Sequence, residues 1–132
     1  MSAELYWLAF TVLMTALFPV PYVLNRIARR GLMATMANPS PDDPPLAPWA
    51  ERGRRAHANA VENLVLFAPL AIAVHVMQRG DALTAGACAL YFVSRLLHYV
   101  IYVAGLPVLR TLAYAGGLVA VVLLAARVLG WL

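Results

Sequence analysis

The chain runs to 132 residues, of which 63% are hydrophobic and 12% charged, with a net charge of +4. Soluble proteins are about 45–50% apolar and about 25% charged, so the composition excludes a water-soluble globule and leaves one integral membrane domain at this length. All ten cationic side chains are arginine. Arginine is the planar, permanently charged partner of carboxylates and phosphates, although a bias toward arginine codons would give the same count.

A first apolar segment extends from about Leu5 to Ile27, long enough to cross about 30 Å of hydrocarbon. It carries Tyr6, Trp7, Phe10 and Phe18. Pro19 and Pro21 should kink it, because each removes a backbone donor. No basic stretch precedes it and no small-residue cleavage site follows, so it is expected to stay as a membrane helix. Arg26 and Arg29 at its end suit lipid headgroups. The stretch from Ala37 to Pro48 holds five of the nine prolines and is expected to be an extended linker.

A second segment follows from about Trp49 to Met77, with Pro69 as an expected kink. The turn Gln78-Arg79-Gly80-Asp81 leads into a third, about Ala82 to Ala104, in which Cys88 sits in an apolar run and reads as packing. Gly105 and Pro107 break the chain again. A fourth segment runs from about Val108 to Leu132, with Trp131 as an interfacial anchor. The chain therefore reads as an all-α membrane protein, a four-transmembrane-helix bundle. Arg26, Arg29, Arg30, Arg52, Arg54 and Arg55 flank the first loop, whereas the second has Arg79 beside Asp81. The excess of positive charge puts the first and third loops in the cytoplasm and both termini on the opposite side.

Three polar rows interrupt the apolar segments. At about 3.6 residues per turn, Arg52, Arg55, Asn59 and Glu62 share one face of the second segment. Arg95, His98 and Tyr102 share a face of the third, and Arg110, Tyr114 and Gly117 a face of the fourth. An ionised glutamate facing acyl chains would cost several kcal/mol, so these groups face protein, water or a polar ligand. Arg110 opposes the helix dipole in its first turn, which calls for an anionic partner, and Thr111 adds a hydroxyl in the same turn. Taken singly, Arg95 could snorkel, His98 could be a satisfied core histidine and the tyrosines an aromatic belt. Gathered toward one membrane face, they mark a functional site. Arginines around a single acid suit a ligand with more carboxylates than amines. Glutathione fits, and its ionised thiol is a nucleophile; other anionic metabolites or a lipid headgroup fit as well.

Three motifs in order, Glu51-Arg52-x-x-Arg55-Ala56-His57-x-Asn59-x-x-Glu62, Arg95-x-x-His98-x-x-x-Tyr102 and Pro107-x-x-Arg110-Thr111-x-x-Tyr114, resemble those of the membrane-associated proteins in eicosanoid and glutathione metabolism, the MAPEG family. Ala37-Asn38-Pro39 after Arg30 is a weaker echo. The resemblance implies a homotrimer of four-helix subunits. Glutathione, as co-substrate, would lie between neighbouring subunits near the cytoplasmic face, with no metal and no nucleic acid involved. By matching position, Arg55, Asn59 and Glu62 would hold the tripeptide backbone and Arg30 a terminal carboxylate. Arg95, His98 and Tyr102 would complete the binding set, and Tyr114 would line the pocket beside the reacting thiol. Arg110 would stabilise the thiolate, with Thr111 where some members place a serine.

Two departures bear on the chemistry. Ala58 stands where some prostaglandin-forming relatives have an arginine, and Asp42 and Asp43 are only near the place of their first-loop acid. The expected function is thus a glutathione S-transferase acting on a lipophilic electrophile drawn from membrane lipid, with glutathione peroxidase activity as a second outcome of the same thiolate. The short chain resembles bacterial members, which implies a detoxifying role in the inner membrane. Two other readings compete. A small four-span transporter has this size, but normally carries its essential acid in the first span, and arginines around Glu62 would hold that acid ionised. A non-catalytic binding member of the family would keep the fold but have lost the chemistry, and the presence of Arg110 and Tyr114 argues against it.

Overall fold

Proline and glycine set the punctuation of this chain. The computed structural model describes all 132 residues, folded as α1 (Ala3–Leu17), α2 (Pro19–Arg30), α3 (Leu32–Met36), α4 (Pro48–Val76), α5 (Ala82–Ala104) and α6 (Pro107–Leu129). There is no strand. α1 and α2 follow each other as one span of 28 residues, so four apolar helices are long enough to cross a bilayer.

Pro19 opens α2 and Phe18, still right-handed helical, joins it to α1. The missing N–H groups of Pro19 and Pro21 loosen the backbone here. Tyr99 of α5 clamps the break: its hydroxyl donates to the Phe18 carbonyl at 2.9 Å, and the two rings stack with centroids 4.0 Å apart. Pro69, expected to kink the second span, lies inside an unbroken α4. α2 extends beyond Ile27 to Arg30, and Gly31, at φ 82, then turns the chain into α3. The sequence reading places no helix there. Leu32-Met33-Ala34 are strong helix formers once that turn is made. Gly105, at φ 81, closes α5, and Pro107 starts α6. α6 stops at Leu129, leaving Trp131 exposed beyond it.

In a bilayer the apolar surface faces outward, so packing rather than burial from water holds helices together. Leu13, Leu24, Val65, Val76, Val100 and Val108 are all exposed. Inside, α4 presents Ala50, Gly53, Ala56 and Ala60 at steps of three and four, small residues that let backbones approach. The core joins Leu8, Phe67, Ala71, Val74, Ala87, Cys88, Tyr91, Ala120 and Leu124, with the Phe67 and Tyr91 rings stacked 3.8 Å apart.

The α4–α5 turn is locked by charge. Arg79 donates to the carbonyls of Arg127 and Val128, both at 3.1 Å, and Arg127 donates to the Arg79 carbonyl at 3.0 Å and pairs with Asp81. These bonds satisfy orphan carbonyls at the end of α6. Nearby, Glu4 is 3% exposed and accepts a 2.6 Å bond from the Thr84 hydroxyl. It lies in the first turn of α1 and beside the first turn of α5, so two helix N-termini favour its charge.

Candidate functional site

α5 carries the centre of a polar seam shared with α4 and α6. Arg95 is only 2% exposed. Its Nη1 donates to Oδ1 of Asn59 at 3.3 Å and its Nη2 to the carbonyl of Tyr114 at 3.2 Å. The rings of Tyr91 and Tyr114 lie with centroids 5.6 and 5.2 Å from its guanidinium carbon. Every one of these partners is neutral, and the buried Nε has no acceptor. Such a charge inside a membrane protein is costly unless an anion answers it.

Small residues make room for this guanidinium. A Cβ added at Gly117 of α6 would stand 2.7 Å from Nη2, and one at Gly116 would stand 2.6 Å from the Ser94 hydroxyl. One turn along α5, His98 is 4% exposed, with its ring centroid 5.6 Å from that of Tyr102 and 6.4 Å from that of Tyr114. Arg110, in the first turn of α6, places its guanidinium carbon 4.3 Å over the Tyr102 ring, a cation–π contact. It meets no anion within the subunit. The Thr111 hydroxyl donates back to the Pro107 carbonyl at 3.1 Å and is exposed. The structure therefore gathers Asn59, Arg95, His98, Tyr102, Arg110 and Tyr114 into one region.

The rest of the expected set lies elsewhere. Arg55 is exposed and directs Nε at Glu51, 3.4 Å away, while Arg54 grips the same carboxylate at 2.7 and 3.1 Å. Glu62 is exposed and pairs with no arginine; the acid that the α4 arginines find is Glu51. The reason is angular. At about 100° per residue, Glu62 stands about 60° around α4 from Asn59, enough to carry it from the bundle to the flank. Arg52 turns to the C-terminus of α5 and donates to the Val103 carbonyl at 2.9 Å. Arg30, expected to meet a ligand carboxylate, instead ties down the proline-rich loop, through the Pro44 carbonyl at 2.7 Å and Asp43 at 3.5 Å.

Sequence reasoning missed four contributors: Tyr91, Ser94, Gly116 and Asn63. The first three are invisible in the polar rows because their value lies in what they leave room for or stack against. Asn63 carried a signal, a second amide four residues after Asn59 and next to Glu62. A cavity of about 700 Å³ opens at the other end of the helices, among Ser2, Glu4, His75, Gln78 and Asp81. Its two acids are already engaged by Thr84 and Arg127, whereas Arg95 in the seam has no anionic partner.

This architecture defines a class: a four-span, all-helical membrane protein with a cationic polar seam between its helices. The chain belongs to the MAPEG family, whose family model matches residues 5–130, nearly its whole length, and is thereby a membrane protein of the glutathione and eicosanoid metabolism family. No curated protein and no solved structure matches it.

Proposed function

We propose that the protein is a membrane-bound glutathione transferase that joins glutathione to lipophilic electrophiles arriving through the bilayer. One observation carries the reading: Arg95 is buried among neutral partners with an unused Nε, and its charge is best answered by an anionic ligand. A tripeptide with two carboxylates supplies that anion. Asn59, Arg95, His98 and Tyr102 are then the binding groups nearest one another. Arg55 and Glu62, exposed on the flank of α4, complete the pocket from the side on which a neighbouring subunit docks, which favours a homotrimer. Arg30 belongs to this set only where its loop partner yields.

Arg110 acts on the sulfur. A guanidinium beside the thiol favours the anion, worth about 1.4 kcal/mol for each pKa unit by which the thiol is lowered. The thiol proton leaves to water. The thiolate electron pair forms the new carbon–sulfur bond, and the leaving group departs with the pair from the bond that breaks. Tyr114, one turn along α6 from Arg110, is the hydroxyl proposed to hydrogen-bond the sulfur or the departing group, joined by Thr111 once its proton leaves the Pro107 carbonyl. With a hydroperoxide as acceptor, two glutathiones give the disulfide, an alcohol and water.

Calorimetry of the detergent-solubilised protein with glutathione, followed by a screen of model electrophiles and lipid hydroperoxides, tests this. Saturable binding with thiol conjugation or peroxide reduction is expected. No heat at millimolar glutathione together with no turnover would overturn it, and proton-dependent efflux from vesicles without conjugation would make the protein a transporter.

A further inference from the structure

Asn63 lies one turn beyond Asn59 on α4, and elementary hydrogen-bond chemistry fixes which way each of these two amides points. A guanidinium only donates, so the Asn59 atom 3.3 Å from Arg95 Nη1 is Oδ1. A backbone carbonyl only accepts, so the Asn63 atom 2.8 Å from the Asn59 carbonyl is Nδ2. That same Nδ2 stands 3.3 Å from Asn59 Oδ1. Two donors from two helices thus converge on one oxygen. The Asn59 amide can adopt only one of its two orientations, and its NH₂ group is turned away from both partners, with no acceptor inside the subunit.

We propose that Asn63 is a positioning residue: with Arg95 it locks the Asn59 amide so that Nδ2 is presented as a preset donor to a carboxylate or amide carbonyl oxygen of the bound ligand. The inference rests on the glutathione reading above for the identity of that ligand, but not for the lock itself. Without Asn63, Arg95 alone holds Oδ1, and Asn59 loses the contact that ties its side chain to its own helix. Ordering it then falls to the ligand, which weakens binding. The chemical step, which takes place at the sulfur, is untouched.

The test uses the whole chain in detergent, as wild type and as Asn63→Ala, Asn63→Gln and Asn63→Leu. Asn63→Ala should raise the glutathione Kd and KM about five-fold, the scale of one hydrogen bond, with kcat at saturating glutathione unchanged. That split marks lost ground-state binding. Asn63→Gln, which keeps the donor, should restore most of the affinity. Asn63→Leu, similar in size and apolar, replaces the alanine variant should that one fail to fold. A ligand-free readout accompanies these: selective isotope labelling of the four asparagines resolves their side-chain NH₂ signals by NMR. Loss of the Asn63 amide should move the Asn59 signal and leave those of Asn25 and Asn38 in place. An unmoved Asn59 signal, or a lower kcat with an unaltered Kd, overturns the proposal. Wild-type protein that binds no glutathione overturns the functional reading instead, while the Asn59 signal still decides the lock.

Discussion

Arg95 lies so close to Gly117 that a methyl group built on the glycine would stand 2.7 Å from Nη2 and 3.0 Å from Nε. The glycine is helical, so its value is space rather than backbone freedom. Gly117→Ala should therefore push Arg95 off Asn59 and the Tyr114 carbonyl without melting α6, since alanine gains about 1 kcal/mol in helix propensity over glycine. Glutathione affinity should fall about ten-fold, the scale of losing one hydrogen bond from a charged donor. Gly116→Ala is the control. It meets only the Ser94 hydroxyl, which can rotate away, and should cost much less. Calorimetry on both variants decides; equal affinities would remove Arg95 from the site.

Arg110 and Glu62 should separate chemistry from binding. Arg110 rests on the Tyr102 ring and has no anionic partner in the subunit. Arg110→Ala should lower kcat about 100-fold, the scale of losing one charge-stabilising group, with Kd for glutathione nearly constant. Glu62 is exposed and unpaired, so Glu62→Gln should leave the melting temperature alone and weaken glutathione binding. If neither variant alters conjugation, the assignment of both residues is wrong.

Much of this was legible in the sequence, and the limits are geometric. Apolar runs broken by the Gln78–Asp81 turn, Gly105 and Pro107 give the spans, and steps of three and four bring Arg95, His98 and Tyr102 to one face. A row on one helix gives an angle, though, and says nothing of which neighbour faces it. Asn59 and Glu62 belong to one row, yet the first meets Arg95 and the second points to the flank. Loop pairings are hidden for another reason. Asp43 meets Arg30 across 13 residues of chain, and only the path of the proline-rich loop decides that. Glu4 is the clearest omission. Nothing in the sequence around it marks a partner, but the packing of α1 against α5 buries it on Thr84.

Asp81 gives the fold an acid-sensitive lock. The Thr84 backbone N–H and the Arg127 guanidinium hold its carboxyl below the ordinary aspartate value of 3.8. A depressed folded-state value means the contribution is whole above the unfolded value and is lost as pH falls through the folded one. Melting temperature in detergent should thus hold from neutrality down to about pH 4 and decline below it. Asp81→Asn should start lower and show a flatter acid limb. An unchanged limb would mean that other carboxylates govern it.

The buried Glu4–Thr84 pair yields a sharper stability test, because Thr84 does two things at once. Its hydroxyl donates to Glu4 at 2.6 Å and accepts from the Asp81 backbone N–H at 2.8 Å in the capping box that starts α5. Thr84→Val removes both, and a hydrogen bond to a charged group alone is worth about 2 kcal/mol. A cap adds about 1 kcal/mol. Thr84→Ser keeps both and should stay near wild type. The two roles separate in a double-mutant cycle with Glu4→Gln. If the hydroxyl–carboxylate bond matters, Thr84→Val should cost clearly less in the Glu4→Gln background, because the charge that needed the donor is gone. Additive losses in thermal or denaturant unfolding would show that Thr84 serves the α5 cap alone, leaving the two helix N-termini to carry the charge of Glu4.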